Sequence, residues 1–316
     1  RQRQMCIRDR HIDDIGDGAK YAINILSLCE LLDNTALLIE EIESHQHTEA
    51  MRKFLQSLLC IASERNVQLF ITTHSFEVIQ TLSQLGQEYD LKFFHVMRSI
   101  EGHLTARETS TEDMRLLVDL GVDPRRLEMY KKFIVIEGSD DEIFIKQLLQ
   151  KYNRKVEELA YLVRAGNKNL VRQVSVALAS TGKEIIAMID YDKDERMQII
   201  NNYQNAFRSR YKSVDVNDNV LVIKGVGSRV TIVPLGLPKD ELLAEIGITK
   251  HEMEDYCLKL IEVDENLREW ADITLKQLVE EAKQAKIEED LSKSSTLLRL
   301  LSLKKGMSYR DITVSY

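Results

Sequence analysis

The sequence predicts an α/β protein of two units, each built on a parallel sheet, and three observations carry that prediction. Short apolar runs that end in acids alternate with longer stretches of helical period, the signature of strand–helix–strand units. Only three prolines and 13 glycines interrupt 316 residues, so helices should dominate between the strands. Residues 121–126 carry both breaker types and separate one series from the next, which makes them the linker. The length agrees with two domains at roughly 150 residues each.

In the first series Ala22, Ile25, Leu26, Cys29 and Leu32 fall at helical spacing and predict a helix from Gly18. Residues 36–39 form an apolar run ending in Glu40 and Glu41, expected as a buried parallel strand. A helix over 50–64 and a second strand over 67–72 follow, then Thr73-His74-Ser75 and another helix. Residues 91–98 and 104–108 flank Glu101-Gly102 as a hairpin, and 111–120 is helical.

The second series places strands at 133–136, 159–164 and 185–189, with helices over 140–152 and 170–179 between them. Weaker strands are expected at 220–224 and 230–233. From Lys250 the chain turns helical and charge-rich, with 267–289 the longest such stretch. Residues 1–10 have no period, and Met5-Cys6-Ile7-Arg8-Asp9-Arg10 reads like one frame of a transposon-end sequencing adapter. They are expected to be a scar that takes no part in the fold; on that reading the natural chain begins upstream.

Charged residues make up 30% and hydrophobic ones 44%, a globular balance. With 43 basic against 51 acidic residues the net charge is −8, which excludes wholesale wrapping of nucleic acid and leaves only a local basic groove. No apolar run reaches the roughly 18–20 residues of a membrane span. Cys6, Cys29, Cys60 and Cys257 make no disulfide framework, so a reducing cytoplasm is the expected compartment.

Two constellations carry chemistry. In the first, Gly16-Asp17-Gly18 opens a helix, where backbone N–H groups and the helix dipole favour an anion. Glu40 and Glu41 end one strand, and His74 follows the next. In this order the three features resemble the C-terminal lobe of an ABC-type P-loop ATPase, in particular that of the OLD (overcoming lysogenization defect) family. The resemblance implies ATP with Mg²⁺ as cofactor and Gly16, Asp17 and Gly18 as the signature motif. It also implies Glu40 as the Walker B metal acid, Glu41 as the residue polarising the attacking water, and His74 as the switch histidine. By the same resemblance such lobes pair as homodimers.

Two departures stand out. Glu40 occupies a position where Walker B carries Asp, and no GxxxxGK[ST] loop occurs; Thr181-Gly182-Lys183 lacks the first glycine and precedes a strand. ATP hydrolysis by this chain alone is therefore not expected. His45 and His47 are expected in a solvated loop.

In the second constellation Glu137 ends a strand, Gly138 makes a tight turn, and Asp141 falls in the first turn of the next helix. Asp190, Asp192 and Asp194 follow a later strand. Parallel strands share one C-terminal edge, where ligand sites form. Carboxylates converging there repel one another unless a divalent cation, Mg²⁺ or Mn²⁺, neutralises them.

Strand–Glu-Gly–helix followed by strand–Asp-x-Asp is similar to a Toprim domain, and its place after an ATPase lobe is the order of OLD nucleases. The resemblance covers most of residues 11–195. It implies a partial ATPase lobe over 11–126, a Toprim domain over 127–250 and a helical C-terminal region over 251–316. The activity implied is a metal-dependent DNA endonuclease of phage-defence or DNA-repair type, with Asp190 and Asp192 as main ligands and Asp141 and Asp194 beside them. Glu137 is implied as general base or shared ligand.

Lys168, in Gly166-Asn167-Lys168, presents an ammonium to a phosphate on this reading. Glu254 and Asp255 read as second-metal ligands or as a solvated helix face, and Lys304 and Lys305 as transition-state cations or a solvated pair; both choices stay open, with the solvated readings favoured. DNA contacts are expected from Arg164, Lys168 and Arg172, from Lys131 and Lys132 near the site, and from Arg208, Arg210 and Lys212 in a polar loop by Tyr203 and Tyr211. The alternative function is a non-cleaving, ATP-gated DNA-binding clamp or sensor whose acids are structural. Any further protein partner is not legible in the sequence.

Overall fold

The computed structural model describes residues 16–44, 47–98, 102–191, 196–272, 274–287 and 290–306. The chain divides after Arg125 into two compact units.

The first unit runs α1 (Asp17–Leu31), β1 (Ala36–Ile39), α2 (Thr48–Glu64), β2 (Gln68–Ile71), α3 (Phe76–Leu85), β3 (Phe93–Arg98), β4 (Leu104–Thr109) and α4 (Thr111–Asp119). α2 spaces Met51, Phe54, Leu55, Leu58, Leu59 and Ala62 along one stripe, and these bury with Leu37, Ile39, Cys29 and Val78 in one core. Ser75 Oγ accepts from Val78 N at 3.3 Å and Ser110 Oγ from Asp113 N at 3.2 Å, which caps α3 and α4.

β1 and β2 pair in parallel, Leu38 opposite Phe70. β1 is not buried on both sides as expected. Leu37 and Ile39 face the core, whereas Leu38, 77% exposed, shares the other face with Phe70, 52% exposed. β3 and β4 form the expected antiparallel hairpin, Phe93 opposite Thr109.

The second unit begins with β5 (Lys132–Ile136), α5 (Ser139–Lys151), α6 (Val156–Leu159), β6 (Tyr161–Arg164), α7 (Lys168–Ala179), β7 (Glu184–Asp190), α8 (Arg196–Arg210), β8 (Val214–Asn217), β9 (Val220–Ile223) and β10 (Ser228–Leu235). It ends in α9 (Glu241–Glu245), α10 (Glu254–Val263), α11 (Glu265–Ala271), α12 (Leu275–Gln284) and α13 (Ser294–Lys305). These last helices bury a core of their own around Leu243, Leu258, Ile261, Leu297 and Leu301.

One sheet, in the order β6-β5-β7-β10-β9-β8, forms the centre. β6, β5, β7 and β10 are parallel, and β9 and β8 extend them antiparallel. α5 and α6 cover the face bearing Ile134, Ile136, Ile186 and Met188. α7 packs against β5, β7 and β10, and Phe133, Val135, Ile185, Ala187 and Ile189 on the other face are buried. Within the parallel part the order is second, first, third, fourth, so the winding reverses between β5 and β7. A doubly wound sheet opens its ligand crevice at the carboxyl ends of those two strands.

Three local expectations need correction, and one strand was not foreseen. β10 is no weak strand: it pairs with β7 from Arg229 to Leu235. β9 reaches only Ser228–Thr231, so Pro234, without an N–H, sits where β10 has a single neighbour. The polar stretch before Lys212 is helical, because Ile199, Ile200, Tyr203 and Phe207 form a buried stripe in α8. Arg208 and Arg210 therefore sit in its last turn and not in a loop. β8, Val-Asp-Val-Asn, alternates apolar and polar residues over only four positions, too short a run to have been foreseen. The stretch 267–289 is broken where Asp272 turns left-handed at φ 54°, and Thr274 and Gln277 cap each other to start α12.

Candidate functional site

Glu137 directly follows β5, and its Oε1 accepts from the backbone N–H of Asp190, the last residue of β7, at 3.2 Å. The two adjacent strand ends thus carry a carboxylate each and are tied together. Asp141, 7% exposed, accepts from Gly138 N at 2.8 Å in the first turn of α5. Burial pushes its carboxyl above the usual range, against the pull of the Gly138 N–H, and Asp140 and Glu252 push it further.

Asp190 is strongly perturbed. Burial first, then Asp141, Glu137, Glu254 and Glu252, raise its carboxyl to about 9. Its Oδ1 accepts from Met253 N at 3.2 Å. Glu137, Asp141 and Asp190 are thus brought together as expected, whereas Asp192 and Asp194 lie outside the described residues. Among the described residues no three His, Cys, Asp or Glu side chains are arranged as a ready metal cage.

The segment 251–256 closes the site and corrects the solvated reading of Glu254 and Asp255. Glu254 is 8% exposed and Asp255 fully buried. Asp255 Oδ2 accepts from Leu237 N at 2.7 Å and from His251 Nδ1 at 2.9 Å, and its Oδ1 accepts from Ser294 Oγ. Glu252 is held by Ser295 Oγ at 2.6 Å and Lys293 Nζ at 3.1 Å. His251, Glu252, Glu254 and Asp255, four titratable groups in five residues, were the available sequence signal; their packing onto β7 and β10 was not.

Some of the expected DNA-contacting cations are committed elsewhere. Arg164 pairs with Glu142 at 3.2 Å, and Arg172 bonds Asn169 at 3.0 Å. Lys168 does begin α7 at the carboxyl edge, after Gly166, at φ +95°, and the cap Asn167. Lys131 precedes β5 and Lys132 is its first residue, so both lie at the opposite edge. Tyr203 is buried, and the Tyr211 hydroxyl bonds Val176 O at 2.9 Å. Lys304 and Lys305 pair with Glu281 and Asp272, both at 2.8 Å.

In the first unit Gly16 caps α1 and is exposed, and Asp17 lies 3.8 Å from Lys20 Nζ; Gly18 is half-buried. Glu40 and Glu41 are exposed just after β1. Glu41, at φ 46°, donates its N–H to Thr72 Oγ1 at 3.1 Å. His74 follows the neighbouring strand, so the acids and the histidine sit at adjacent strand ends. Sequence reasoning missed Glu43, whose Oε1 accepts from His74 N at 2.7 Å. Burial pushes its carboxyl up, but bonds from the His74 backbone and the Thr73 hydroxyl hold it below the usual range. Arg125, fixed by Asp123, donates to His74 O at 2.7 Å, so this loop is anchored from both sides.

Comparison with known proteins separates the two units. Residues 8–80 match an AAA domain of the AbiEii type (type IV TA system), so the first unit carries an AAA-type, ATPase-like segment. An ATP/GTP phosphatase of Helicobacter pylori is 33% identical over 78 residues, 24% of this chain and 21% of that protein. An uncharacterized protein of Methanocaldococcus jannaschii, MJECL11, is 29% identical over 113 residues, 35% of this chain and 99% of that one. Residues 131–306, more than half of the chain, match the family of proteins of unknown function DUF3226, and the chain belongs to that family.

Proposed function

We propose that the second unit is a Toprim-type, divalent-metal-dependent DNA endonuclease and that the first is part of an OLD-like ATPase lobe coupled to it. The observation that carries this reading is the Asp190 carboxyl, raised to about 9 by burial and four neighbouring acids at the crevice of a doubly wound sheet. So costly a concentration of carboxylates at a ligand edge suits a cation. All the donors are carboxyl oxygens, hard donors of a chemistry that fits Mg²⁺ or Mn²⁺. Glu137, Asp141 and Asp190 would hold the ion, with Asp192 and Asp194 completing the set.

When bound, the ion supplies Lewis acidity to the phosphodiester and lowers the pKa of a water. The chain's own part is to fix the acids. Gly138 N–H orients Asp141, Asp190 N–H orients Glu137, and Met253 N–H orients Asp190. Lys168, in the first turn of α7, would meet the phosphate as a cation.

For the first unit, the AAA-type match and the phosphatase relative support ATP with Mg²⁺ as ligand. Glu40, Glu41 and His74 at adjacent strand ends would face its phosphates, with Gly16, Asp17 and Gly18 at a helix start as the second contact. A DNA substrate, dimerisation through this lobe and a cytoplasmic role in phage defence or repair belong to the same reading.

One observation favours a second reading, a non-cleaving DNA-binding sensor: Glu137, Asp141 and Asp190 each already accept a backbone N–H, as structural acids do. Supercoiled plasmid incubated with the chain and Mn²⁺ or Mg²⁺ separates the two. Nicking by the wild type but not by Asp190→Ala supports the nuclease. No nicking, or equal nicking by the variant, rejects it in favour of the sensor.

A further inference from the structure

At the opposite edge of the sheet, the N-terminal ends of β5, β7 and β10 frame an open pocket of about 350 Å³. Its lining is Lys131, Gly182, Lys183, Glu184, Gly227 and Arg229. β7 runs from Glu184 to Asp190, so at about 3.3 Å per residue some ~20 Å separates this pocket from the acids. The two places are chemically opposite.

Register and pairing decide which charges are available. Lys132, Glu184 and Arg229 form one row across three adjacent strands. Glu184 is taken by Lys132 at 2.8 Å, and Lys183 is matched by Glu128 at 2.7 Å. With each carboxylate matched by a lysine, Lys131 and Arg229 are the surplus. Both are exposed, and neither has an acidic partner among the described residues. Gly182 and Gly227, at φ +73° and +78°, turn the backbone here and add no side chain to the wall.

The lining also limits the ligand. It contains no aromatic or aliphatic side chain on which a base or an acyl chain could rest. What it offers is a guanidinium fork, which grips two phosphate oxygens, and ammonium groups acting as point charges. In a protein of net charge −8 such a surplus of cations around a concavity is a local departure from the average.

We propose that this pocket binds a phosphate group of a nucleic-acid strand or free nucleotide, with Lys131 and Arg229 as its charged contacts. Recognition is through the phosphate alone and is independent of base sequence. It owes nothing to the carboxylate site on the other edge.

The test uses the whole chain in EDTA, so that the outcome does not depend on any cation at the acids. Anisotropy of a labelled single-stranded oligonucleotide is measured for wild type, the double variant Lys131→Ala/Arg229→Ala, and Lys239→Ala, an exposed lysine elsewhere in the same unit. Calorimetry with ATP and with inorganic phosphate runs beside it. The expected result is at least tenfold weaker binding of one of these probes by the double variant, under twofold by Lys239→Ala, and a log–log salt slope for the oligonucleotide smaller by about 1.4. Loss confined to the oligonucleotide identifies a strand, and loss shared with ATP a nucleotide. Binding unchanged in the double variant, weakened equally by Lys239→Ala, or absent for every probe in the wild type overturns the proposal.

Discussion

The backbone N–H of Met253 donates to Oδ1 of Asp190 at 3.2 Å, joining residues 63 apart in the chain. Through this bond the segment leading into α10 sits on the end of β7, beside an acid whose carboxyl burial and four other carboxylates push up to about 9. The C-terminal helices are therefore a wall of the carboxylate site and not an appendage to it.

Stability should fall as pH rises through the neutral range. The Asp190 carboxyl stands at about 9 in the folded chain against ~3.9 unfolded, so between those values the folded state holds more protons. The native state is then progressively penalised from about pH 4 to pH 9, by a few kcal/mol at pH 7. Asp141, raised in the same direction, adds to this. Thermal melts from pH 5 to 9 should show Tm falling for wild type and a shallower fall, with higher Tm at pH 8, for Asp190→Asn. Parallel curves would show that Asp190 ionises freely.

A divalent cation should reverse that penalty. Because the ion must replace the proton on Asp190, binding tightens with pH. Mn²⁺ at a hundredfold excess over Kd would stabilise by about 2.7 kcal/mol. The Tm increment should be larger at pH 8.5 than at pH 6, disappear with EDTA, and be absent in Asp190→Asn. An increment independent of pH and retained by the variant would place the ion elsewhere.

Asp255 should be among the costliest residues to remove. It is fully buried and accepts from Leu237 N, His251 Nδ1 and Ser294 Oγ. Asp255→Ala strands the donors of buried His251 and Ser294 and of half-buried Leu237, at about 1–3 kcal/mol for each buried one, so a loss of about 2 kcal/mol or more is expected. Asp255→Asn, which keeps one acceptor oxygen, should cost less. Urea midpoints of the second unit measure both, and a loss below about 1 kcal/mol for the alanine variant would contradict the network.

How much of this was legible follows from how local each signal is. The runs before Glu137 and Asp190 are apolar and end in acids, so strand, turn and carboxylate could be read from adjacent residues. The role of Asp255 could not, because a charge-rich helix start reads as solvated until Leu237 and Ser294 are brought to it. Lys131 and Lys132 misled for the converse reason. They are close to Glu137 in sequence, but an extended strand carries them to the far edge of the sheet. Arg164 stands at the right edge, yet Glu142 takes its charge, and such pairing between elements leaves no trace in spacing. β10 was underrated because Arg229, Thr231 and Pro234 interrupt its apolar run, although β7 pairs with it from Arg229 to Leu235.

Gly236 offers a test of the closed wall that leaves every acid in place. It follows Leu235, which pairs with Asp190, and adopts φ +118°. A Cβ there would lie 2.9 Å from the carbonyl carbon and Cβ of His251 and 3.1 Å from Glu252 N, mostly backbone atoms that cannot swing aside. Gly225, at φ +94° with nothing within 4 Å of a Cβ, supplies the control. Gly225→Ala should cost only the backbone strain, about 1 kcal/mol, and leave the Mn²⁺ increment in Tm unchanged. Gly236→Ala should cost at least about 2 kcal/mol more through the added clash, displace the segment 251–253 from β7, and shrink that increment. Equal effects of the two substitutions would mean that the segment is free to move away and takes no part in holding Asp190.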